Sequence, residues 1–95
     1  MAAAPAVSCE PTAEGWRCEV VVGEDAGATR HDVTLDRATL EDLAPGATPE
    51  LLVGESFAFL LERESRESIL RRFELPVIGR YFADSRDEVR RRLAG

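Results

Sequence analysis

Cys9, Cys18 and His31 are the only cysteines and the only histidine of the 95-residue chain. Metal or thiolate chemistry would have to start from them. A structural zinc site takes four ligands with at least one closely spaced pair. Here three potential ligands are scattered, with no Cys-x-x-Cys, so a buried Cys18 and a core His31 are expected instead, with no metal site. A bond between Cys9 and Cys18 would close a short loop and is geometrically possible. Two cysteines in a non-secreted chain nevertheless favour free thiols. A Cys–His nucleophile would lack a third, orienting group.

Other catalytic chemistries fail on residue type. All twelve basic residues are arginine, which rules out a Schiff-base lysine, a P-loop lysine and a lysine general base. The glycines at 15, 23, 27, 46, 54 and 79 form no phosphate-cradling motif. Ser56 and Ser68 fall in helical stretches, where a hydroxyl usually bonds its own backbone. Paired-carboxylate hydrolysis needs a cleft that a chain of this size scarcely provides. No enzymatic activity, cofactor or small-molecule substrate is expected.

The elements that would position these residues follow from periodicity. Residues 1–14 are Ala/Pro/Ser/Glu-rich without periodicity and read as a disordered N-terminal tail. They have neither the basic nor the apolar region of a secretory signal. Residues 15–95 read as a single small α+β domain. "WRCEVVV" and "HDVTLD" alternate apolar with polar around a Gly/Asp-rich turn, the pattern of a two-stranded antiparallel hairpin. Cys18 and His31 then point inward. Asp36 is placed to cap a short helix, "RATLEDL", that stops at Ala44-Pro45-Gly46. Thr48-Pro49 opens a long helix, "PELLVGESFAFLLERE". At 100° per residue, Val53, Phe57, Leu60 and Leu61 share one face and Leu52 and Phe59 another, so this helix is expected to be central and covered on both sides. Gly54 and Ala58 would let another backbone approach closely. Ser65 reads as the cap of a helix "RESILRRF", Pro76 opens a short turn, and Ser85-x-x-Glu88 is a capping box before "RDEVRRRLA". With only Val89 and Leu93 apolar, that last helix is expected to pack weakly. The predicted fold is therefore an N-terminal two-stranded hairpin on a central helix, with short C-terminal helices. No apolar run approaches the ~18 residues of a membrane span, and a cytoplasmic protein is expected.

The segment "HDVTLDRATLEDLAPGATPELLVGESFAFLLERE" loosely resembles the ribbon–helix–helix repressors: a strand, a short helix and a longer helix with an apolar face. The resemblance covers about a third of the chain. It implies a dimer formed by paired strands whose ribbon enters the major groove of DNA. Two features oppose that function. The strand face that would meet bases carries Asp32 and Asp36 beside Arg30 and Thr34, against the phosphate field that dominates affinity. A preceding strand, residues 16–22, would compete for the ribbon's edge.

The net charge of −6 is unevenly spread. Residues 1–62 carry a balance of −9 and residues 63–95 a balance of +3, so the chain has an acidic part and a basic part able to attract opposite surfaces. "SILRRFELPVIGRYF", residues 68–82, concentrates arginine, tyrosine and phenylalanine, the residue types of interface anchors. Ile69, Leu70, Phe73 and Ile78 are expected to enter the core, leaving Arg72, Arg80 and Tyr81 at a rim for partner binding. The leading expectation is a non-enzymatic protein-interaction module or adaptor that self-associates as a homodimer. The alternative is a DNA-binding regulator.

Overall fold

A computed structural model describes residues 5–24 and 26–94. The chain runs β1 (Ala6–Pro11), β2 (Gly15–Val22), β3 (Thr29–Asp36), α1 (Arg37–Leu43), α2 (Pro49–Arg63), β4 (Arg72–Glu74), α3 (Ile78–Tyr81) and α4 (Ser85–Ala94). The α+β class agrees with the sequence, but the expected two-stranded hairpin is a four-stranded sheet in the order β1-β2-β3-β4. β1, β2 and β3 are antiparallel neighbours. β4 joins β3 in parallel, with Val33 opposite Phe73, and the α1–α2 connection supplies the crossover that a parallel pair needs.

Both added strands correct the sequence reading. Residues 6–11 form β1 rather than part of a tail: Cys9 lies opposite Cys18, Val7 opposite Val20, and Val7 and Cys9 pack against the core. Residues 1–4 lie outside the described residues. The expected helix "RESILRRF" is a single 3-10 turn, Arg66–Ser68, followed by extended chain. Tertiary pairing overrides helix propensity here. The amide of Asp32 donates to the carbonyl of Arg71 at 2.7 Å, and the Phe73 ring stacks on Phe57 with centroids 6.0 Å apart.

The sheet has one apolar and one polar face. Cys18, Val20, Val22, His31, Val33 and Leu35 are buried. Their alternates Arg17, Glu19, Arg30 and Thr34 are exposed. α2 covers the apolar face and carries α4 on its other side. Phe57 and Phe59, both fully buried, lie 200° apart around the helix and divide the work. Phe57 meets the rings of His31 and Phe73; Phe59 meets Phe82 edge-on at 5.8 Å. The two-sided burial read from the periodicity of α2 is what the structure shows.

Helix starts follow the expected chemistry. The Asp36 carboxylate accepts from the Thr39 amide at 2.7 Å, and Thr48 Oγ1 from the Leu51 amide at 3.2 Å. α4 packs more firmly than its composition suggests. Its arginines supply the ties: Arg86 and Arg90 both bind the Asp42 carboxylate on α1, and Arg92 binds Glu62 on α2 at 2.7 Å.

The ribbon–helix–helix arrangement fails at β3. That fold needs a strand free to pair with its counterpart in a second chain, whereas β3 is flanked by β2 and β4. Among the described residues, no helix is long and apolar enough to cross a membrane.

Candidate functional site

The two cysteines are bonded to each other, which corrects the expectation of free thiols. Their strands place them directly opposite, with Cα atoms 4.0 Å apart. This is the closely spaced, non-hydrogen-bonded kind of antiparallel pair, where side chains approach most nearly. His31 is buried and fully engaged. Its Nδ1 lies 2.8 Å from the carbonyl oxygen of Leu70 and its Nε2 2.8 Å from Thr29 Oγ1. A carbonyl only accepts, so Nδ1 carries the hydrogen and the Thr29 hydroxyl is left for Nε2. Among the described residues, no group of three or more His, Cys, Asp or Glu side chains is arranged to hold a metal ion. Ser56 donates to the Leu52 carbonyl one turn back, at 2.8 Å.

The polar sheet face is a set of alternating charges that satisfy one another. Arg17 grips Asp32 with Nε and Nη2 contacts of 2.5–3.1 Å, and Arg30 faces Glu19 at 3.8 Å. The Arg17 hydrogen bonds, reinforced by the charge of Arg72, hold the Asp32 carboxyl below the usual carboxylate range. The same pairing raises the Arg17 guanidinium. The capped Thr39 lowers Asp36, and Arg63 lowers Asp84 through a hydrogen bond. A field of alternating sign offers no sustained attraction to a polyanion.

One apolar groove lies at the other side of the β4 edge. It has a volume of about 160 Å³ and opens between the C-terminal end of α2, the strand β4 and the helix α3. Its lining includes the buried Leu60, Ile69, Phe73 and Ile78. Leu70 and Tyr81 stand at its lips, 47% and 65% exposed. They are two of the three large hydrophobic residues exposed among the described residues, the third being Leu51. Arg63 closes the neighbouring end of α2. Its guanidinium lies 4.4 Å from the Phe59 ring centroid and binds Asp84 at 2.8 Å.

The three nominated partner-binding residues are all exposed but do not form one patch. Tyr81 lines the groove. Arg80 precedes it on α3, and its side chain makes no hydrogen bond or ion pair among the described residues. Arg72 lies on the polar sheet face, its Nε 3.8 Å from Asp32, because β4 is a strand and Arg72 alternates with the buried Phe73. Leu70, expected in the core, is the residue that sequence reading missed. Ile69 is buried and Leu70 exposed, and the bend at Arg71 interrupts the alternation before β4, so Leu70 stays at the groove instead of joining Arg72 on the polar face. No protein-family model, curated protein or solved structure matches the chain.

Proposed function

We propose that the chain is a non-enzymatic protein-interaction module that binds apolar side chains of a protein partner in the groove between β4 and α3. The observation that carries this reading is the exposure of Leu70 and Tyr81 in the lining of an apolar groove. Leaving two such residues in water stabilises nothing in the isolated chain, whereas a partner that covers them gains their burial, about 1.5–3 kcal/mol for a fully buried large side chain. The groove is smaller than the roughly 300–1,000 Å³ of common small-molecule pockets. It has room for one or two side chains. The unpaired Arg80 beside Tyr81 supplies a cation for an acidic residue flanking the anchor.

The Cys9–Cys18 bond fits an oxidising compartment better than the cytoplasm expected from composition. Alkylation of the native protein followed by intact mass measurement distinguishes bonded from free thiols.

Selection of displayed random peptides on the immobilised chain tests the reading. Enriched peptides should carry aromatic or large aliphatic anchors and lose at least about tenfold in affinity on Tyr81→Ala, as expected of an anchor contact. Enrichment of none, or peptides that bind Tyr81→Ala equally well, would overturn it. Retention on random duplex DNA that falls steeply with salt would favour the regulator class instead.

A further inference from the structure

We propose that β4 pairs, antiparallel and about a two-fold axis, with β4 of a second copy of this chain. The proposal specifies self-association as the use of the groove described above and rests on that reading.

Ladder geometry leaves this edge open. The Asp32 amide bonds the Arg71 carbonyl, and the parallel register sets Asp32, Val33 and Thr34 against Arg72, Phe73 and Glu74. Phe73 therefore turns its own peptide groups toward β3. Arg72 and Glu74 turn theirs to the outer edge, where the sheet ends.

The three residues of this edge complement themselves. In an antiparallel pair centred on Phe73, each Arg72 lies opposite Glu74 of the other copy, and the two-fold repeats the contact. These residues exchange both backbone hydrogen bonds, and their side chains meet as opposite charges on the polar face. Both are free to do so. Glu74 makes no hydrogen bond or ion pair among the described residues, and Arg72, whose side chain is 82% exposed, reaches Asp32 only at 3.8 Å. On the apolar face, Phe73 lines the groove of each copy and lies at the two-fold, so the two grooves adjoin across the junction. The arrangement is isologous and closed.

The opposite edge of the sheet does not offer the same match. β1 ends at Pro11, which by alternation from its pairing with Trp16 takes an outward position and has no amide hydrogen to give.

Sedimentation velocity over a wide concentration range tests the pairing. The wild-type chain should sediment as a dimer in reversible equilibrium with monomer. Arg72→Glu alone and Glu74→Arg alone each place like charges opposite one another at both contacts. Each should weaken self-association about tenfold or more. Mixed in equal amounts, the two variants restore opposite charges at both contacts and should form a heterodimer of wild-type affinity. Both positions are exposed, and circular dichroism verifies that the variants fold. A wild-type chain that stays monomeric at all concentrations overturns the proposal and leaves the peptide-selection result to decide the groove reading separately. A dimer unaffected by either single variant, or a mixture no tighter than the singles, also overturns it, because the interface must then lie elsewhere.

Discussion

His31 donates from Nδ1 to the carbonyl oxygen of Leu70 across 2.8 Å, binding the middle of β3 to the chain just before β4. The donor is buried and the acceptor belongs to a residue whose side chain stands at the groove's lip. The single histidine is thus part of the support for the groove. Substituting His31→Phe keeps an aromatic ring against Phe57 but leaves the Leu70 carbonyl and the Thr29 hydroxyl without their partner. Leaving such groups unsatisfied costs about 1–3 kcal/mol. Urea denaturation should show a lower midpoint with an unchanged slope. An unchanged midpoint would mean that water replaces the ring nitrogens at no cost.

The Cys9–Cys18 bond ties the outermost strand to the sheet across a sequence separation of 9. Closing so short a loop in the unfolded chain is worth about 2–3 kcal/mol on the chain-entropy account. Reduction with a dithiol, or Cys9→Ser with Cys18→Ala, should lower the unfolding free energy by about that amount. Amide exchange should accelerate most in residues 6–11, because β1 pairs with β2 alone. Uniform acceleration across the sheet would show that β1 is no separate unit and that the bond stabilises the whole fold cooperatively.

Much of this architecture was legible in residue patterns, and the failures have a common cause. The long helix showed its two apolar faces in sequence because 100° periodicity places Phe57 and Phe59 oppositely whatever surrounds them. Asp36 and Thr48 marked their helix starts because capping is local chemistry. β1 and β4 were missed because each is a strand only by virtue of a neighbour. "AVSCEP" has weak alternation, and "RFE" is three residues drawn into line by the open edge of β3. The site inherited the same error. Treating residues 66–73 as helical sent Leu70 into the core and Arg72 to the rim beside Tyr81, whereas the bend at Arg71 leaves Leu70 at the groove and alternation within β4 puts Arg72 on the polar sheet face, opposite the buried Phe73.

Asp32 makes stability depend on acid. Arg17, with help from Arg72, lowers its carboxyl in the folded chain. A folded-state value below the unfolded one, about 3.9 for aspartate, contributes stability that is complete above the unfolded value. That contribution is lost as pH falls through the folded one. Asp32→Asn should therefore lower the urea midpoint near neutrality, and the gap to wild type should close as pH falls below about 4. A gap that persists unchanged in strong acid would assign the effect of the substitution to packing rather than to charge.

Gly54 marks a place where the sequence asks for less than the helix could use. Small residues at 54 and 58 suggested close approach of another backbone. A Cβ on Gly54 would instead meet only the Val7 side chain, with Cγ2 at 3.8 Å, an ordinary van der Waals contact. Its backbone φ is not in the left-handed region, so nothing in the fold requires glycine there. Glycine inside a helix costs about 0.5–1 kcal/mol relative to alanine through the conformational freedom it gives the unfolded chain. Gly54→Ala should raise the unfolding free energy by about that amount, and it should raise the thermal midpoint by several degrees. It should also leave the association measured by sedimentation unchanged, since β1 and β4 are opposite edges of the sheet. A destabilised Gly54→Ala protein would mean that α2 and β1 lie closer in solution than the Val7 contact indicates.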